Sequence, residues 1–207
     1  MTHDLRICFV GDSYVAGVGD PRFLGWAGRL AARTIAAGQP LTGYNLGVRR
    51  QTSSDVLNRF EDECGQRLAP ATDPRVVLSV GVNDATLENG RPRVAPDESS
   101  ANLTRLLDRA TANDWSVLVV APPPVADPGH QARTAGLDRE FARICRTAGI
   151  PYVPVHQPLA ANPVWIHEVR TGDGAHPAEA GYDAIADLIA PHWDTWLRAV
   201  PTTSGRG

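Results

Sequence analysis

The sequence predicts an α/β fold, a parallel sheet with helices on both faces. Three observations carry the expectation. Five short apolar runs punctuate the chain, and helical periodicities separate them. Three of the runs, near Val76, Val117 and Val153, are β-branched and nearly continuous, as strands covered on both faces are. Strands alternating with helices at this spacing form βαβ units, whose crossovers are right-handed.

Taken in order, the expected strands are Arg6 to Val10, Leu41 to Leu46, Arg75 to Val80, Trp115 to Ala121 and Tyr152 to Val155. The second carries the weakest signal because it contains Gly43. The first helix is expected from about Phe23 to Ala37, with Leu24, Ala27, Leu30, Ala31 and Ile35 on its apolar face. Ser54 to Leu68 follows with Val56, Leu57, Phe60 and Cys64, and Ser99 to Ala112 with Leu103, Leu106, Leu107 and Ala110. Thr134 to Ala148 carries Leu137, Phe141, Ile144 and Cys145, and a last helix opens at Pro177 with Tyr182, Ile185, Ala186 and Ile189. Residues 86–97 and 122–129 read as polar or Pro/Gly-containing loops. Residues 1–200 are expected to form a single domain, and 201–207 a disordered tail.

The whole-chain properties narrow the function. A chain of 207 residues with 43% apolar and 21% charged residues fits one medium globular domain. The formal net charge is -3, and no dense run of one sign suggests a nucleic-acid or membrane-surface partner. Lysine is absent, which excludes a Schiff-base lysine, a Ser-Lys dyad and a Walker-type phosphate loop. Cys8, Cys64 and Cys145 are odd in number and widely spaced, which argues against a disulfide framework or a zinc ribbon; Cys8 and Cys145 read as packing residues. The stretch Met1-Thr2-His3-Asp4 enters a strand-like segment with no basic region and apolar run, and no segment has the length of a membrane span. The expectation is a soluble cytoplasmic protein, not inserted in a membrane, for which a monomer is favoured.

In an open parallel sheet, ligands bind beyond the carboxyl ends of the strands. Gly11-Asp12-Ser13 follows the first strand, Asn45-Leu46-Gly47 closes the second, and Gly81-Val82-Asn83-Asp84 follows the third. Asp173-Gly174-Ala175-His176-Pro177 stands before the last helix. A serine hydroxyl needs a base within reach, and Gly11 would allow a turn that exposes Ser13. A spacing of three lets Asp173 orient the His176 imidazole. The Asn83 carboxamide and the backbone amides of Gly47 and Ser13 are candidate donors to a developing oxyanion. Singly, each has a structural alternative: Ser13 or Asp173 as a helix cap, Asn-Asp and Leu-Gly as turn residues. Together, and in this order, the four segments point to acyl transfer.

The four segments resemble the motifs of the SGNH hydrolases, the GDSL family of esterases and lipases, over nearly the whole chain. Gly11-Asp12-Ser13 is similar to the nucleophile motif, Gly47 to the lone glycine motif, Gly81 to Asp84 to the Gly-x-Asn-Asp motif, and Asp173 to His176 to the Asp-x-x-His motif. The resemblance implies a three-layer α/β/α, flavodoxin-like fold and hydrolysis of carboxylic esters or thioesters. It implies Ser13, Asp173 and His176 as a triad, with Ser13, Gly47 and Asn83 as the oxyanion hole. It implies no cofactor and no metal; the partner is a small-molecule ester substrate. Short to medium acyl chains are expected, since the chain is too short for a large lid domain.

Further residues are candidate substrate contacts: Asp12 and Tyr14 beside the nucleophile, Arg49 and Arg50 after Gly47, Pro123 within Pro122 to Pro124, and Trp165 and His167 ahead of the Asp/His segment. The remaining histidines, His3, His130, His156 and His192, are not expected to be catalytic. Competing readings lack their motifs. There is no Gly-x-Ser-x-Gly elbow, Gly17-Val18-Gly19 is no dinucleotide fingerprint, and no second histidine follows His167-Glu168 at zinc-helix spacing. A non-catalytic binding module would have no use for Ser13, Asn83 and His176 together. An acyltransferase using the same triad remains the nearest alternative.

Overall fold

The computed structural model describes residues 4–199; the segment expected as a disordered tail lies outside them. Five parallel strands form the sheet: β1 (Leu5–Gly11), β2 (Thr42–Gly47), β3 (Asp73–Ser79), β6 (Ser116–Val120) and β7 (Tyr152–Val153), in the order β2-β1-β3-β6-β7. A two-stranded hairpin, β4 (Leu87–Glu88) and β5 (Arg91–Pro92), stands apart from it. The helices are α1 (Ser13–Ala16), α2 (Gly25–Ala36), α3 (Ser53–Leu68), α4 (Pro96–Ala112), α5 (Pro128–Ala148), α6 (His156–Ala160), α7 (Pro163–Thr171) and α8 (Glu179–Arg198).

The expected α/β architecture is the one observed. Period-two alternation in β1 sends Ile7 and Phe9 into one core and Cys8 and Val10 into the other. On the first face α2 and α8 bring Trp26, Leu30, Tyr182, Ile189 and Trp193, and Phe9 stacks on Trp193 with ring centroids 5.6 Å apart. On the second face α3, α4 and α5 bring Phe60, Leu106 and Phe141. All three cysteines are buried free thiols.

Several elements differ from the expectation. Asp127 caps α5 and Pro128 takes its first turn, so the helix begins six residues before Thr134. On α2 the buried face runs through Trp26, Ala27, Leu30 and Thr34, and Ile35 is exposed; the Thr34 hydroxyl is satisfied by the Leu30 carbonyl and the Trp193 indole N–H. The loop expected over residues 86–97 contains the β4–β5 hairpin, turned by Asn89 and Gly90, both in the left-handed region.

The strand order explains where a site must lie. From β1 the chain moves to β2 on one side, then crosses to β3 on the other, so the connections leaving β1 and β3 diverge. Such a switch point opens a crevice at the carboxyl ends of the strands.

Candidate active site

β1 delivers Ser13 to this crevice. A Cβ on Gly11 would stand 2.0 Å from the Ser79 carbonyl oxygen of β3. The glycine therefore serves close approach between neighbouring strands, not the sharp turn that the sequence suggested. Asp12 caps α1 by accepting from the Tyr14 N–H at 3.0 Å, so Ser13 is not itself the cap. The Ser13 hydroxyl stands 2.7 Å from His176 Nε2, and His176 Nδ1 stands 2.7 Å from Asp173 Oδ2.

The Asp173 to His176 segment is fixed at both ends. The other Asp173 oxygen accepts the Ala175 and His176 N–H groups at 3.0 and 2.8 Å. Partial burial pushes the Asp173 carboxyl up, but the hydrogen bonds from His176 and Ala175 outweigh it and hold the group at about 2. It is a carboxylate at neutral pH. Beyond His176, helix α8 starts at Glu179 rather than Pro177, and its Ala178 N-cap offers no side chain to the free N–H groups. Glu168 of α7 supplies it, accepting from Ala178, Ala180 and Gly181 at 2.9, 3.2 and 2.7 Å. No local sequence signal marks a residue that caps another helix.

Gly47, at the end of β2, and Asn83, in the turn after β3, follow the two strands that neighbour β1. A Cβ on Gly47 would stand 2.2 Å from the Ala16 nitrogen, so β2 and α1 meet at a distance only glycine allows. Its N–H donates to Asn45 Oδ1 at 3.0 Å, while Asn45 Nδ2 donates to the Val15 carbonyl at 2.8 Å. Arg59 ties the ends of β1 and β2 together, donating to the Gly11 and Leu46 carbonyls at 3.0 and 2.8 Å. Asn83 Nδ2 donates to Asp12 Oδ2 at 3.2 Å, which sets which way the carboxamide faces. His130 holds the same turn, its ring 2.7 Å from the Val82 carbonyl.

Asp12 and Asp84 form a buried carboxylate pair behind the crevice. Burial, with the nearby Asp84 charge, raises Asp12 to about 7 against the Tyr14 N–H and Asn83 hydrogen bonds that favour its ionised form. Asp84 accepts the Ser53 N–H at 2.7 Å through one oxygen, and the other has no hydrogen-bond partner among the described residues.

The candidate substrate contacts divide by exposure. Asp12, Tyr14, Pro123 and Trp165 are buried, as Ser13 itself is. The Tyr14 ring packs 5.0 Å from His176 and 6.3 Å from Trp165, its hydroxyl donates to the Ala175 carbonyl at 2.7 Å, and the Trp165 indole donates to the Pro124 carbonyl at 3.1 Å. Arg49, Arg50 and His167 are exposed.

Known proteins share this plan. The model of the GDSL-like lipase/acylhydrolase family matches residues 9–184. A GDSL lipase of Mycobacterium tuberculosis is 31% identical over 211 residues, spanning 92% of this chain and 84% of its own length. The lipase/acylhydrolase from Enterococcus faecalis has a TM-score of 0.76 at 21% identity, over 97% of this chain and all (100%) of that one. An acetylxylan esterase from Geobacillus stearothermophilus has a TM-score of 0.68 at 18% identity, over 99% of this chain and 100% of that one. At these identities the two structures speak to the fold, while the family match runs from β1 into α8 and takes in every segment that meets at Ser13. The chain belongs to the GDSL-like lipase/acylhydrolase family and is a carboxylic ester hydrolase.

Proposed function

We propose that Ser13 is the nucleophile of this hydrolase, His176 its general base and Asp173 the acid that orients His176, acting on small-molecule carboxylic esters or thioesters of short to medium acyl chain. The carrying observation is the continuous relay from Ser13 Oγ to His176 Nε2 and from His176 Nδ1 to Asp173 Oδ2, 2.7 Å at each step. In this reading Ser13 Oγ attacks the ester carbonyl as its proton passes to His176 Nε2. The carbonyl oxygen becomes an oxyanion that accepts from the Ser13 amide, the Gly47 amide and Asn83 Nδ2. The Gly47 N–H turns to it from Asn45, and Asn83 offers the N–H that Asp12 leaves free. His176 then protonates the departing alcohol or thiol as the acyl–Ser13 ester forms. Water attacks that ester, gives its proton to His176, and the acid leaves as Ser13 recovers the proton. Asp173, ionised throughout, stabilises the imidazolium at both stages. Every step is proton and acyl transfer among these groups, so the scheme calls for no cofactor.

No helix among the described residues is long and apolar enough to cross a membrane. We take the chain to act in the cytoplasm as a monomeric single domain. The test is Ser13→Ala, expected to keep the fold and lower hydrolysis of a nitrophenyl ester by several orders of magnitude. Retention of more than a tenth of kcat sinks the assignment. Product analysis with an added alcohol separates hydrolysis from transfer of the acyl group, because a new ester appears only in the second case.

A further inference from the structure

Five large apolar side chains are exposed among the described residues: Phe23, Ile35, Val48, Leu87 and Val164. Ile35 lies near the end of α2, away from the active-site end of the molecule. The other four lie on connections that leave the carboxyl edge of the sheet. Phe23 sits between α1 and α2, Val48 directly after Gly47, Leu87 on the hairpin four residues past Asn83, and Val164 at the start of α7 ahead of His176. Scattered singly, such residues are ordinary. Here all four lie on segments that adjoin the motifs at the mouth of the crevice.

Phe23 is the most unusual. It is 95% exposed, and its φ of 59° puts a bulky residue in the left-handed region. A rigid turn holds it there. The Asp20 carboxylate accepts the Arg22, Leu24 and Gly25 N–H groups at 3.1, 3.1 and 2.8 Å and pairs with buried Arg29. Gly19 of the same loop is pressed against the Pro177 carbonyl and His176 Cβ. The protein thus keeps an aromatic ring in the solvent, on the loop that abuts the base, in a backbone conformation that disfavours it. Strain of this kind persists where the surroundings impose it, and it marks function.

The charges around the mouth follow the same plan. The chain carries a net -3, yet Arg49 and Arg50 follow Val48, and Arg91 lies across the hairpin from Glu88, next to Leu87. These three arginines form no ion pair among the described residues. Arg93 neutralises Glu88 and donates to the Arg50 carbonyl at 2.7 Å, fastening the hairpin to the Val48 loop. The basic residues are dispersed in sequence, which is why no run of charge announces them.

We propose that the mouth face docks on an anionic lipid surface, with Phe23 as the principal anchor, the three aliphatic tips beside it, and Arg49, Arg50 and Arg91 against the phosphate headgroups. Apolar side chains entering the acyl boundary beside basic residues are the means by which peripheral proteins hold such surfaces. A rigid partner, a second copy included, needs a continuous apolar core at its interface. Four tips separated by an open mouth suit a deformable surface instead. Docking would turn Ser13 towards the lipid phase.

Co-sedimentation with vesicles of phosphatidylcholine alone and of phosphatidylcholine with phosphatidylglycerol tests this. The protein is expected to pellet with the anionic vesicles and to be released by added salt. Phe23→Asn suits the left-handed conformation, so it should fold at least as well while lowering partition about tenfold. Each of Arg49→Gln, Arg50→Gln and Arg91→Gln should lower it about fivefold. Hydrolysis of a soluble short-chain ester by Phe23→Asn should match wild type, so failure of the Ser13 mechanism and failure of docking appear in different assays. Wild type that stays in the supernatant with both vesicles, equal binding to neutral vesicles, or full binding by Phe23→Asn overturns the proposal. A dimer in sedimentation velocity that Phe23→Asn dissolves would assign the face to a second copy and overturn it as well.

Discussion

Replacing Asp12 by asparagine should make this protein more stable and less active. The Asp12 carboxyl is raised from 3.8 to about 7, chiefly by burial and next by the Asp84 charge. At ~1.36 kcal/mol per pH unit, that rise is worth roughly 4 kcal/mol against the ionised folded state, an order-of-magnitude ceiling. The sign follows from linkage. Below about pH 3.8 Asp12 is protonated in folded and unfolded chains alike, and no penalty exists. As pH rises towards 7 the unfolded chain gives up the proton while the folded chain retains it, so stability falls, and above 7 the loss is complete. The asparagine side chain does not titrate. The difference in Tm should therefore be smallest near pH 4, grow to about pH 7 and then level, reaching several degrees for a chain of this size.

Activity should move the other way. An asparagine can keep its oxygen on the Tyr14 N–H, but its NH2 then faces the Asn83 NH2, which now donates to Asp12 at 3.2 Å. Asn83 relieves the conflict by reversing its carboxamide, which removes one donor from the proposed oxyanion hole. Loss of such a donor lowers kcat by about 10²- to 10³-fold. Calorimetry from about pH 4 to 9, a range that brackets both the unfolded and the folded value, and kcat on a soluble nitrophenyl ester are the measurements. A Tm gain independent of pH, or a kcat within about twofold of wild type, would refute the reasoning.

Three further outcomes are expected. His176→Ala should nearly abolish turnover and Asp173→Asn should cost less, since removing the acid of a serine-hydrolase triad is less severe than removing its base; full activity in Asp173→Asn would make the pair Ser13 and His176 sufficient. Gly47→Ala should destabilise the fold as well as slow the reaction, since the new methyl would meet the Ala16 nitrogen at 2.2 Å, and an unchanged midpoint in a urea melt counts against that packing. Glu168→Ala should lose about 1–2 kcal/mol with the missing cap and lower kcat through a loosened His176 segment; Glu168→Gln, which can still accept hydrogen bonds, should recover part of both, as thermal melts beside ester turnover would show.

The fold was legible where the chain repeats a period. The β-branched runs around Val76 and Val117, and the helix through Leu103, Leu106 and Leu107, announce themselves locally. Helices α6 and α7 are too short, at five and nine residues, to display a period, and prolines at 158 and 163 interrupt the pattern. The hairpin did carry a local signal, Asn89-Gly90, the turn pair whose left-handed preference suits two short strands. In the site, Ser13, Asp173 and His176, which the structure brings together, could be named from their segments, while the contacts that hold them could not. Asp12 meets Asn83 across 71 residues, and Glu168 caps a helix that begins eleven residues later. Trp165 and Tyr14 look alike in sequence whether they line a cleft or pack behind it. What they touch decides between those roles, and contacts are a property of the whole fold.

His176 and Ser13, the proposed base and nucleophile, lie 163 residues apart, and they meet where α8 closes over α2. During synthesis the strands and helices up to β7 leave the ribosome before the segment that carries His176 does, so the nascent chain holds an exposed serine without its base for most of its elongation. The same order governs refolding. Secondary structure can form in every earlier unit without generating an active centre, and the return of turnover reports the longest-range event in the molecule, the docking of its last helix.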